Sequence, residues 1–217
     1  MAISKFVSQC RMSFLVLLLL SAVSANSNPT LLVVGDSLSA GYQIPAGTDW
    51  VTLLSEKLAN QYPDWTVANG AVSGATTAAG LSRRSQLLAS TKPSVVVIEL
   101  GGNDGLQGKP LKHIRNNLAS LIQQSLDADA ITVLIGIRIP PNYGPRYTEP
   151  FFTQYADLAA QYNTLYVPFM LEGVADQPSL MQGDGIHPVA SAQPIILDHL
   201  WPTLRQAVDT HENRISR

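Results

Sequence analysis

Cysteine is almost missing from this chain of 217 residues, with Cys10 the single example. One thiol cannot close an internal disulfide, and no Cys/His grouping has the spacing of a zinc site. Charge is sparse too: 14% of residues are Asp, Glu, Lys or Arg, and the net formal charge is −2. Without a basic surplus there is no electrostatic footprint for nucleic acid. Internal repeats, linkers and low-complexity tracts are lacking. So is any apolar run of the ~20 residues that a membrane span needs. The Gly-x-Ser-x-Gly nucleophile elbow of α/β-hydrolases does not occur, and neither does a His-Glu-x-x-His metal signature. Gly102 to Lys109 approaches a phosphate loop, but its glycine spacing is one residue too long, and Pro110 stands where Ser or Thr is required. No heptad pattern or long apolar edge points to an oligomer, so a monomer is the default. What is present is a 46% apolar composition, typical of a globular protein, and a length that fits one domain at ~100–200 residues per domain.

The first residues have the order of a secretory signal. Lys5 and Arg11 are positive, an apolar run follows between Met12 and Leu20, and Ser21 to Ala25 is a small-residue stretch. That order predicts cleavage after Ala25, with export to the periplasm or medium and no stable membrane anchor. Residues 1–25 are therefore read as signal and 26–217 as one domain. Lys5, Arg11 and Cys10 leave with the signal, which takes the net charge to −4 and leaves no thiol for catalysis. An exported chain without disulfides must rest on its core, and ~190 residues can build one.

Short β-branched runs then alternate with longer amphipathic ones. Strands are expected at Thr30–Val34, Trp65–Ala68, Ser94–Leu100, Ile131–Ile137 and Thr164–Pro168. Helices are expected around Trp50–Leu58, Thr76–Leu88, Leu111–Leu126, Phe151–Tyr162 and Ala190–Val208. Pro140 to Pro145 is expected to be loop, because two prolines and a glycine interrupt regular structure. Near-continuous apolar strands alternating with helices predict an α/β fold, a parallel sheet covered on both faces.

In such sheets, ligands bind beyond the carboxyl ends of the strands. Three polar clusters fall at strand ends: Gly35 to Ser39, Asn69 to Gly74, and Gly101 to Asp104. A fourth, Asp184-Gly185-Ile186-His187-Pro188, precedes the last helix. Any one alone reads as a turn; together they supply the parts of an acyl-transfer site. A serine hydroxyl needs a base, and the base needs a third group to fix its tautomer. Ser37 is the candidate nucleophile, expected at a strand end with a helix about to begin and its N–H near that helix's positive end. His187 is the candidate base, since His113 and His199 fall within helical stretches and His211 in a frayed tail. Asp184 lies a turn away from it. Oxyanion donors would be the N–H groups of Ser37 and Gly74 and the side-chain amide of Asn103. Asp36 is expected to accept backbone hydrogen bonds in the nucleophile turn, and Asp104 to cap the helix after its loop. Leu106, Tyr143, Tyr147 and Phe169 are candidate cleft or core residues.

Gly35-Asp36-Ser37-Leu38, Gly74, Gly102-Asn103-Asp104 and Asp184-Gly185-Ile186-His187-Pro188 resemble the four blocks of the GDSL, or SGNH, hydrolases. The resemblance spans about Thr30 to Leu204. Glu99 to Leu106 and Pro140 to Tyr147 are similar, more narrowly, to the exported bacterial thioesterase I/lysophospholipase/arylesterase group. The resemblance implies a flavodoxin-like three-layer fold, a site without metal or cofactor, Ser37–His187–Asp184 as triad, and small-molecule esters or thioesters as substrates. Carbohydrate deacetylases share the same blocks, and a non-catalytic binding protein of this fold is a further alternative; the intact set of site residues speaks against the latter. One departure stands out: Gly74-Ala75-Thr76 replaces the usual Gly-Asp-Thr of the second block.

Overall fold

The computed structural model describes residues 28–216; the signal expected at 1–25 lies outside the described residues. Five strands form one sheet: β1 (Thr30–Gly35), β2 (Thr66–Asn69), β3 (Val95–Glu99), β4 (Ile131–Ile135) and β5 (Leu165–Val167). All neighbours pair in parallel, in the order β2-β1-β3-β4-β5. Six helices accompany them: α1 (Trp50–Gln61), α2 (Thr77–Thr91), α3 (Gly102–Leu106), α4 (Leu111–Asp127), α5 (Pro145–Tyr162) and α6 (Gln193–Ile215).

Both faces of the sheet are covered because both faces of its strands are apolar. In β1, Leu31 and Val33 enter one core, while Leu32 and Val34 enter the other; Val95 and Val97 against Val96 and Ile98 repeat this in β3. The first core packs under α1 and α6 through Trp50, Leu54, Leu200 and Leu204. The second packs under α2, α4 and α5 through Ile114, Leu118, Phe151 and Tyr155. Each such side chain contributes roughly 1.5–3 kcal/mol by leaving water, which is how a domain without disulfides is held. This is the flavodoxin-like order. From β1 the chain winds first to β2, then crosses back to β3 on the other side. The C-terminal ends of β1 and β3 therefore flank a topological switch point, where a crevice opens.

Three differences from expectation go beyond a few residues at an element's end. α5 starts at Pro145, six residues before Phe151, and the segment before it makes a 3₁₀ turn at Pro141–Tyr143. Proline suits the first helical position, where its missing N–H has no partner to lose. α6 runs on to Ile215, so His211 lies in a helix, its ring 5.3 Å from that of Trp65 at 85°. The last turns are pinned from across the chain: Tyr62 Oη donates to Asp209 (2.6 Å) and Trp65 Nε1 to Glu212 (2.7 Å). Finally, no helix follows Ser37 directly. Residues 37–43 are turns, and α1 begins only at Trp50, so no helix dipole aids the Ser37 N–H.

Candidate active site

β1 ends at Gly35, and the chain folds back at once. The Asp36 carbonyl accepts the Ala40 N–H (2.9 Å), and Asp36 Oδ1 accepts the Leu38 N–H (3.1 Å). Asp36 thus takes the turn-holding role expected of it. Beneath the turn lies Glu99, fully buried at the end of β3 in register with Gly35. Its Oε2 accepts the Ser39 hydroxyl (2.7 Å) and the Asp36 N–H (3.3 Å). A Cβ on Gly35 would come within 2.8 Å of that oxygen and of the Ser39 side chain, so only glycine lets the turn sit so close. From β2, Asn69 Nδ2 donates to the Ser39 carbonyl (2.8 Å).

Two buried carboxyl groups therefore support the nucleophile turn. Burial pushes Glu99 well above the usual carboxylate range, and the neighbouring Asp36 charge adds to this. Burial also pushes Asp36 up, to about 6, although bonds from Leu38 N–H and the Asn103 amide pull the other way.

The histidine arrives on a loop closed like a hairpin. Met181 and Pro188 form an antiparallel bridge, and Gln182 N–H donates to the His187 carbonyl (2.7 Å). The Gln182 side chain reaches Tyr42 O (3.1 Å) and Pro188 O (3.0 Å), tying this loop to the nucleophile turn. Asp184 Oδ1 accepts the N–H groups of Ile186 (2.9 Å) and His187 (3.0 Å). Its Oδ2 lies 2.7 Å from His187 Nδ1, and His187 Nε2 lies 2.8 Å from Ser37 Oγ. A proton on Nδ1, held by the carboxylate, leaves the Nε2 lone pair facing the hydroxyl. Burial works against the Asp184 charge, but hydrogen bonds from the His187 N–H and ring and from the Ile186 N–H outweigh it and hold the carboxyl down to about 2.

Gly74 and Asn103 line the same cleft. Gly74 has φ +78 and open space where a Cβ would stand, so a substrate can approach its backbone closely. Asn103, in the first turn of α3, gives its two amide hydrogens to Asp36 Oδ2 (3.0 Å) and Ala75 O (3.1 Å). Asp104 does not cap its own helix. It accepts Thr77 N–H (2.7 Å) and Oγ1–H (2.9 Å), fastening the start of α2. Ala75, at the departure from the four-block pattern, is buried in the second core.

The cleft encloses about 570 Å³, with Leu106, Ile139, Phe169 and Met181 among its apolar walls. Tyr143 and Tyr147 are not among its lining residues; their hydroxyls donate to Leu106 O (2.7 Å) and Lys109 O (2.6 Å). No three His, Cys, Asp or Glu side chains among the described residues group to hold a metal ion.

Residues 33–193 match the GDSL-like lipase/acylhydrolase family. The chain belongs to that family. It is 51% identical over 176 residues to Esterase TesA of Pseudomonas aeruginosa, covering 81% of this chain and 88% of that protein. It is 41% identical over 196 residues to Thioesterase 1/protease 1/lysophospholipase L1 of Escherichia coli K12, covering 90% of this chain and 91% of that one. Among solved structures, the psychrotrophic esterase EstA from Pseudoalteromonas sp., inhibited by monoethylphosphonate, superposes with a TM-score of 0.79 at 38% identity, over 83% of this chain and 98% of that one. The chain is thus an α/β ester or thioester hydrolase of the GDSL type.

Within this GDSL site, sequence reasoning missed Glu99, Ser39 and Gln182. Glu99 carried a usable signal, since a lone acid in the apolar run Val95–Leu100 must be paired or neutral when buried. Ser39 and Gln182 gave none, because their partners lie 60 and 140 residues away.

Proposed function

We propose that this GDSL hydrolase is a serine esterase and thioesterase working through an acyl-enzyme on Ser37. The observation that carries the reading is the continuous chain Ser37 Oγ–His187–Asp184, with links of 2.8 and 2.7 Å, opening into an apolar-walled cleft. Ser37 Oγ attacks the carbonyl carbon as His187 Nε2 takes its proton, and Asp184 stabilises the resulting imidazolium. The carbonyl oxygen, now negative, is received by the N–H groups of Ser37 and Gly74 and by the Asn103 amide. The neutral Ala75 carbonyl gives way, because a hydrogen bond to a full charge is about twice as strong as one to a neutral acceptor. As the tetrahedral adduct collapses, His187 protonates the leaving alcohol or thiol. Water then repeats the sequence and frees the acid.

The apolar walls favour alkyl or aryl acyl groups over the acetyl groups of a carbohydrate deacetylase. A chain-length series of p-nitrophenyl esters, run beside acyl-thioesters and lysophospholipids, tests this. Activity rising with chain length supports the reading, and activity confined to acetylated sugars overturns it. We also propose that residues 1–25 are a cleaved export signal and 26–217 a single catalytic domain. The charged, apolar and small-residue order of the signal supports this, as does one sheet shared by both cores.

A further inference from the structure

Arg138 follows β4 and lines the same cleft as Ser37. It is the one lysine or arginine among the described residues that line this cleft, whose other titratable lining residues include Asp36, Asp176 and His187. Arg115 and Arg205 lie beside acids, 3.8 Å from Asp157 and 4.0 Å from Asp209, and the exposed Arg146 and Arg214 stand outside this cleft. Arg138 has no such partner and no side-chain hydrogen bond among the described residues. Aromatic rings hold it instead, with the guanidinium carbon 3.8 Å from the centroid of Phe152 and 5.5 Å from that of Phe169. Stacking occupies the face of a guanidinium and leaves the N–H groups on its rim unspent. It also restrains a flexible side chain before any ligand arrives. A stacked, unneutralised cation in the active-site cleft of an acidic protein is a preformed receptor for a multi-oxygen anion.

A simple acyl chain carries no charge, so an anion held in this cleft would belong to the alcohol or thiol part of the substrate. Resting on the reading of Ser37 as nucleophile, we propose that Arg138 is a specificity-determining residue that holds a phosphate group on the alcohol or thiol part of the substrate. Two sources supply that chemistry: a glycerophosphate head and the phosphates of a coenzyme thiol.

The experiment uses the mature protein and two matched pairs. One is 1-octanoyl-glycerol 3-phosphate against 1-octanoyl-glycerol. The other is hexanoyl-coenzyme A against hexanoyl-N-acetylcysteamine. The wild type should prefer the phosphorylated member in kcat/KM. Arg138→Met, which keeps an apolar stem, should cut that preference about tenfold through KM, about the effect of one contact worth ~1.4 kcal/mol. Its rates on the neutral members should stay within about twofold. Arg138→Lys should keep part of the preference, and raising salt from about 0.1 to about 1 M should erode it in the wild type and the Lys variant but not in Arg138→Met. Preference in one pair alone supports the proposal and identifies the source. Equal loss on both members in Arg138→Met, or no wild-type preference in either pair, overturns it while the neutral esters still report an intact hydrolase. Failure of all four substrates would instead bring down the Ser37 reading, and the role of Arg138 with it.

Discussion

Asn103→Ala is a double perturbation whose parts can be separated. The substitution removes the donor proposed for the oxyanion, and it also breaks the bonds to Asp36 Oδ2 and Ala75 O. A neutral hydrogen bond contributes about 1 kcal/mol and one to a charged group about 1.5–3 kcal/mol. Partial exposure of Asn103 favours the low end, so about 2 kcal/mol of stability should be lost. For a domain of this size that lowers Tm by about 4–8 °C. The catalytic part is larger: loss of one oxyanion donor costs ~10²–10³ in kcat, or ~2.7–4 kcal/mol, with little change in KM. Turnover is measured at 25 °C, where both proteins are folded, and Tm on the same preparations by circular dichroism. The lost stability then cannot account for the lost rate. Asn103→Asp should be at least as damaging, because it sets a second carboxylate where the amide now meets Asp36 Oδ2. A folded Asn103→Ala enzyme whose kcat stays within about tenfold of wild type would refute the assignment and leave Asn103 as a brace for Asp36.

Asp184→Asn should lower kcat far more than it raises KM, because the amide no longer fixes the tautomer of His187. Since Asp184 is held down to about 2, its charge persists through pH 4, and any acid limb of the rate above that pH belongs to another group. Glu99→Gln tests the buried acid. A carboxyl raised by folding binds more protons folded than unfolded, so it costs stability as pH rises above its ordinary value of 4.5. The Gln variant lacks that cost, so its Tm relative to wild type should climb between about pH 4.5 and 7; a constant or falling difference would mean that Glu99 is ionised in the fold. Intact mass of secreted material should give a chain beginning at Asn26, and a soluble protein beginning at Met1 would sink the export reading.

The fold was legible because its strands are apolar on both faces. Leu31 to Val34 and Val95 to Ile98 have no exposed position, and that pattern alone calls for a parallel sheet under two helical layers. The candidate site was legible in the residues proposed to react, because Ser37 and Asn103 follow the ends of β1 and β3 and His187 lies on the loop before α6, where polar clusters interrupt apolar runs. Its supports were not. That Asp104 would fasten α2 depends on which helix the crossover brings beside it, and Gln182 reaches Tyr42 only once the final loop has closed. Local rules also misled where proline was concerned. Pro145 reads as an interruption, yet it opens α5, because the same missing N–H that breaks a helix interior costs nothing at its first position.

Ser37, activated by His187 and Asp184, is proposed to form a covalent bond to the acyl carbon. A fluorophosphonate mimics that step, because its phosphorus accepts the serine oxygen and expels fluoride. Intact mass followed by peptide mapping of the mature protein should show one adduct, on the peptide carrying Ser37, with hydrolysis lost in proportion to labelling. Ser37→Ala should take no label and His187→Ala should label far more slowly. Labelling at another residue, or full ester hydrolysis by unlabelled Ser37→Ala, would contradict the account.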